Sequence, residues 1–150
     1  MKVLQSPTDL LALVGQEVAA SPWLTVTQEQ VNLFAQATGD AQWIHVDEDR
    51  ARHGPFGTTI AHGYLTLSLL PRFFAEAITV QSMRMSVNYG LNKVRFPAPV
   101  PVGSRLRAHF KLLGCDAIED GLQLAWQVTV ERDGGDKPVC VAETLSRVYP

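Results

Sequence analysis

Gly63-Tyr-Leu-Thr-Leu-Ser-Leu-Leu-Pro-Arg-Phe-Phe-Ala-Glu-Ala-Ile78 decides how the rest of this chain must be arranged. Leucine and phenylalanine recur around most of a helical circumference, so a helix here has to be covered on more than one side. It is no membrane span: Thr66, Ser68, Pro71 and Arg72 interrupt it, and about 20 apolar residues are needed to cross a bilayer. Pro71 brings no backbone donor and crowds the preceding turn. The predicted helix therefore kinks or divides there.

Downstream the period changes from helical to two. Met83, Met85, Val87 and Tyr89 alternate with polar neighbours. So do Leu106, Ala108, Phe110 and Leu112 against Arg105, Arg107, His109 and Lys111, and again Leu122, Leu124, Trp126, Val128 and Val130. Val139 to Val148 alternates less and reads as a more fully buried strand. The apolar phase slips by one between Tyr89 and Val94, and Gly90 lies at the slip, which predicts a bulge or bend. Phe96 to Gly103 holds three prolines and joins elements as a turn.

Upstream the signals are helix caps. Ser6-Pro7 opens a short helix that Gly15 ends. Thr27-Gln28-Glu29-Gln30 has the capping-box pattern. Val31, Phe34 and Ala35 follow at helical spacing, and Gly39 suits a left-handed cap. Asp40 to Thr59 reads as irregular, with one helical turn over Asp49 to Arg52. The sum is α+β: a helix and loop, one buried helix, then four or five antiparallel strands curved around it. Such a sheet leaves exposed edges, and pairing two copies is a common way to cover them, so a homodimer is expected.

The 150 residues suit a single domain, 1–150, with a core large enough to need no staples. Apolar residues make up 46% and charged residues 19%, which excludes a disordered chain, and a net charge of −2 without any basic run gives no nucleic-acid surface. The first residues lack the apolar core of a signal peptide. Cys115 and Cys140 are therefore expected as reduced thiols in a cytoplasmic protein, with no membrane association.

Two segments carry candidate chemistry: Ala37-Thr-Gly-Asp-Ala-Gln-Trp-Ile-His-Val-Asp47 and Phe56-Gly-Thr-Thr-Ile-Ala-His-Gly-Tyr64. Asp40 and His45 either orient a shared water, with the imidazole moving its proton, or merely cap a turn and satisfy backbone groups. Gly63 either opens the first turn of the buried helix to a ligand's carbonyl oxygen or simply lets the helix pack closely. His45, Asp47, His53 and His62 lack a familiar zinc spacing, and no metal is expected. Neither cysteine sits beside an obvious base, and Ser68 lacks the nucleophile-elbow glycines.

At these two segments the chain resembles the MaoC-like dehydratase family, which includes the R-specific enoyl-CoA hydratases. The resemblance rests on Thr38-Gly39-Asp40, on Ile44-His45-Val46-Asp47, and on Phe56-Gly57 through Ile60-Ala61-His62-Gly63. It extends in type from Val14 to Tyr149. Gln42 and Trp43 stand where the family pattern has Asn and Pro. That pair, with Asn88-Tyr89-Gly90, is similar to the branch related to nodulation protein N. The resemblance implies a hot-dog fold and reversible addition of water to a trans-2-enoyl thioester, giving an (R)-3-hydroxyacyl thioester. It implies Asp40 and His45 as the reacting pair and the Gly63 amide on the thioester carbonyl. Gln42, Trp43, His62 and Asn92 would border the substrate. The substrate would be acyl-CoA or acyl carrier protein, with no metal or redox cofactor. A hot-dog thioesterase and a non-catalytic acyl-CoA-binding module are the competing readings.

Overall fold

The computed structural model describes residues 1–150. The chain opens with β1 (Lys2–Leu4), a 3-10 helix (Pro7–Leu13), and two short strands, β2 (Glu17–Ala20) and β3 (Leu24–Thr25). Ser6 caps the 3-10 helix in a reciprocal box with Asp9. Helix α1 (Gln28–Thr38) begins at the expected box: the Thr27 hydroxyl accepts from the Gln30 amide, and Gln30 accepts from the Thr27 amide. It ends at Gly39, whose φ of 79° is the left-handed cap. The following segment is more ordered than its sequence suggested, holding α2 (Trp43–Val46) as well as α3 (Glu48–Arg52).

The decisive stretch forms two helices, α4 (Gly63–Ser68) and α5 (Leu70–Ala77), joined at Leu69. Leu69 keeps helical dihedrals, so the pair bends rather than reverses, and Pro71 sits in the first turn of α5, where a missing donor costs least. Ile78, expected as the helix end, instead starts β4 (Ile78–Val80), which pairs in parallel with β1.

Four long strands follow: β5 (Met85–Arg95), β6 (Arg105–Ile118), β7 (Gly121–Arg132) and β8 (Cys140–Tyr149). The antiparallel sheet runs β2-β6-β7-β8-β5, with β3 also on β6. This curved sheet around a central helix is the hot-dog arrangement. Leu106, Ala108, Phe110 and Leu112 of β6 face inward, as do Leu124, Trp126, Val128 and Val130 of β7, where they meet Phe73, Ala77 and Leu65 in one core. Phe74, Phe110 and Trp126 pack edge to face at 5.4–6.2 Å. The β5–β8 register slips between Asn88 and Gly90 and again between Leu91 and Lys93, so the bulge lies where the apolar phase changed.

Two strands differ from expectation. Met85, Val87, Tyr89 and Leu91 are exposed, because β5 is the last strand of the sheet and nothing in the chain lies over it. β8, paired on one side with this exposed strand, is only half-buried from Glu143 to Arg147, although Cys140, Ala142 and Val148 are buried.

Candidate active site

Asp40 leaves α1 through the left-handed Gly39, which turns the chain back toward α4. Its carboxylate is exposed, while its backbone carbonyl accepts a hydrogen bond of 2.8 Å from His62 Nε2. His45 sits in α2 with 6% of its surface exposed. Its Nδ1–H donates to the Ile60 carbonyl at 2.7 Å, an acceptor that fixes the tautomer and leaves Nε2 with a free lone pair. Gln28 braces the segment from α1: its amide donates to the His45 carbonyl (2.8 Å), and its Oε1 accepts from the buried Thr59 hydroxyl (2.6 Å). The capping box marked the start of this helix but gave no sign of the brace, whose partners lie 17 and 31 residues away.

Burial pushes His45 below the ordinary histidine value. The Ile60 hydrogen bond opposes this, the neighbouring His62 adds to it, and Asp40 pulls back upward. The net depression keeps the imidazole a base at neutral pH. One carboxylate oxygen of Asp40 and one ring nitrogen each of His45 and His62 lie within 4.8 Å of one another. A water hydrogen-bonded to two groups at about 2.8 Å each holds them roughly 4.5 Å apart, a separation of the same order as this upper bound. The His45 and His62 rings stack at 3.9 Å with 26° between their planes. Nearly parallel rings do not aim their lone pairs at one point, which suits a stack better than a chelate. The other histidine grouping does not form: Asp47 caps α3 by accepting from Arg50, and His53 closes the same helix.

Gly63 is the first residue of α4, and neither it nor Tyr64 donates its amide to any group in the chain. Gly63 also packs tightly: a Cβ there would stand 2.9 Å from Phe96 Cδ2. Both readings of this glycine thus have a physical basis. His45 and Gly63 line one cavity of about 330 Å³ with Phe56, Thr66, Phe96 and Val100. A larger apolar cavity of about 790 Å³ lies further along α4 and α5, between Leu67, Phe74, Tyr89 and Trp126. The smaller one holds His45 and Gly63, with Asp40 outside its lining, and is the candidate site.

The remaining candidates scatter. Gln42 is exposed at the start of α2, its side chain uninvolved in the cap. Trp43 is occupied by packing: Arg50 lies 4.3 Å over its ring, and a Cβ on Gly54 would meet its edge at 2.9 Å. His62 is buried behind His45. Asn92 lies on the edge strand, donates to Glu143 at 2.6 Å and lines neither cavity, so within one chain it does not reach the thioester position the resemblance gave it. Ser68 bonds the Tyr64 carbonyl. Cys140 is raised by burial to about 11 and Cys115 is also raised, chiefly by burial, so neither is an activated thiol.

A curved sheet on a divided helix defines a hot-dog protein, and the carboxylate–imidazole pair near that helix's start is its candidate site. The family model described as a MaoC like domain matches residues 9–133, and the chain belongs to that family. It is 56% identical to 3-hydroxyacyl-thioester dehydratase Z of Mycobacterium tuberculosis (strain ATCC 25618 / H37Rv) over 148 residues, 98% of each chain. It is 43% identical to Nodulation protein N of Rhizobium meliloti (strain 1021) over 144 residues, 94% of this chain and 89% of that protein. Among solved structures it resembles the unliganded R-hydratase PhaJ1 from Pseudomonas aeruginosa with a TM-score of 0.72 at 24% identity, covering 91% and 81% of the two chains. That likeness bears on the fold alone.

Proposed function

We propose that this chain reversibly hydrates trans-2-enoyl thioesters to (R)-3-hydroxyacyl thioesters, as acyl-CoA or on acyl carrier protein. The observation that carries this reading is that an Asp40 carboxylate oxygen and a His45 ring nitrogen lie within 4.8 Å, while His45 shares a cavity with the unbonded Gly63 amide. The 56% identity to a 3-hydroxyacyl-thioester dehydratase supports it.

In the hydration direction, the water's oxygen bonds to the β-carbon while one of its protons passes to His45 Nε2. The electron pair of the double bond moves toward the thioester carbonyl, whose oxygen gains charge opposite the Gly63 amide. The Asp40–His45 pair then returns a proton to the α-carbon, so that one water has been added and the pair is restored. Asp40 orients the water and stabilises the imidazolium form of His45 between the two transfers. Neither step calls for a metal or redox cofactor. Gln42, exposed at the start of α2, would meet a polar group of the incoming substrate.

Loss of enoyl absorbance with crotonyl-CoA and longer enoyl-CoAs measures the reaction. Asp40→Asn and His45→Gln should each lower kcat by about 10³-fold or more, and the double variant should be little worse, because both groups serve one transition state. Wild-type rates in either variant would refute the assignment. Thiol release without hydration would point to a thioesterase, and tight acyl-CoA binding without turnover to a binding module.

The bare edge of β5, with exposed Met85, Val87, Tyr89 and Leu91, supports a homodimer in which two such edges meet. Light scattering should give twice the chain mass, and Val87→Lys should halve it. The two unpaired thiols fit a cytoplasmic setting.

A further inference from the structure

We infer that His62 is the positioning residue of this site, tying the Asp40 main chain, the His45 ring and the first turn of α4 into one rigid unit. The inference rests on the hydratase reading for its kinetic consequences and on geometry for the rest.

His62 is 2% exposed and occupies the position just before α4, so its own backbone sets where the free Gly63 amide stands. One ring nitrogen, Nε2, meets the Asp40 carbonyl at 2.8 Å. A carbonyl only accepts, so Nε2 carries the hydrogen. The Asp40 side chain has no hydrogen-bond partner in the chain, and its amide reaches only the Thr38 hydroxyl at 3.4 Å. The bond to His62 is therefore the strong constraint on the loop that carries the carboxylate.

The ring also packs against aromatic neighbours from two helices. It stacks on His45 of α2 at 3.9 Å and meets Phe34 of α1 at 4.9 Å with a 54° tilt. His45 is thus held twice: in its plane by the Ile60 carbonyl and on its face by His62. The aim of its Nε2 follows from both.

The other nitrogen of His62, Nδ1, is buried without any partner. Trp126 Nε1 and Arg132 Nε share this state, so the bond to Asp40 and the stack on His45 are what set His62 apart. A phenylalanine would stack without an orphaned nitrogen but lose the bond to Asp40. A glutamine would reach the carbonyl but give His45 no face. The titratable groups acting on His45 are His62, which lowers its pKa, and Asp40, which raises it. Loss of the His62 ring should therefore move His45 upward.

His62 does not line the cavity that holds His45 and Gly63. It acts on the His45 ring and the Asp40 main chain, which it holds in place.

The test uses His62→Phe and His62→Gln. Both should lose about 10- to 100-fold in kcat on crotonyl-CoA with KM within about twofold, since a misplacement near 1 Å can cost 10²-fold. In both, the acid limb of kcat/KM, and the His45 titration followed by NMR in the free protein, should move to higher pH. Folded variants with wild-type kcat and an unmoved His45 would overturn the inference. So would activity that falls only with the folded fraction measured by circular dichroism, the acid limb staying in place. The NMR titration needs no substrate, so it decides even if the wild-type protein hydrates nothing. The unaltered protein gives a further check: His62 should show an Nε2–H protected from solvent exchange. A freely exchanging Nε2–H, or an Nδ1–H tautomer, would overturn the inference even if neither variant folded.

Discussion

Gly63→Ala tests the two readings of that glycine together. An ideal Cβ at this position stands 2.9 Å from Phe96 Cδ2 and 3.1 Å from two further ring atoms, whereas ordinary contacts begin near 3.4 Å. The ring or the helix start must therefore give by about half an ångström. A forced methyl in a packed site costs about 1–3 kcal/mol. Phe96 is 37% exposed and packs on Tyr64 at a 6.1 Å ring separation, so some of the strain can be relieved by swinging the ring outward at the expense of that contact. For a domain of this size, the loss should lower Tm by roughly 3–10 °C. The methyl stands beside the free amide, so kcat on an enoyl-CoA should fall by about 10- to 100-fold, because displacing the amide misaligns the carbonyl it faces. Calorimetry and the absorbance assay read the two effects separately. Phe96→Ala added to Gly63→Ala should restore most of the stability, since it removes the colliding ring. Unchanged Tm and kcat in Gly63→Ala, or a double variant no more stable than the single, would refute the steric argument.

Two further perturbations probe the supports of the fold and the site. Gln28→Ala leaves the buried Thr59 hydroxyl without its acceptor and the His45 carbonyl without a donor, and should cost about 1–3 kcal/mol in urea melts together with a fall in kcat. On the outer face of the sheet, His109 bridges Glu17 of β2 and Glu131 of β7 at 3.0 and 2.8 Å. Burial lowers its pKa, but the hydrogen bonds and charges of Glu131 and Glu17 outweigh burial and raise it overall. Its folded pKa is the higher one, so its contribution to stability is fully present below the ordinary value near 6.5 and is lost as pH rises through the raised pKa. His109→Gln should therefore reduce the Tm advantage of pH 5.5 over pH 8.5, and an unchanged difference would exclude the bridge as its source.

The residues themselves determined whatever depends on near neighbours. The box at Thr27 and Gln30, the cap at Gly39, the division of the central helix at Pro71 and the slip at Gly90 each rest on a few adjacent positions, where steric and hydrogen-bonding preferences act directly. The inward faces of β6 and β7 were legible because alternation along a strand is itself a local property. The family motifs put Asp40, His45, His62 and Gly63 in order along the chain. Only the tertiary structure decided which atoms meet: His45 Nδ1 with the Ile60 carbonyl 15 residues away, His62 with the Asp40 carbonyl 22 away, and Gln28 with both loops. It also turned Trp43 into a packing residue under Arg50, placed Asn92 on an outer edge, and made strands of Lys2–Leu4, Glu17–Ala20 and Leu24–Thr25 through partners more than 70 residues distant. Those short strands have little preference of their own. Their backbone groups become strand only when β4 or β6 offers the complementary donors and acceptors, and no local reading of the chain supplies that partner.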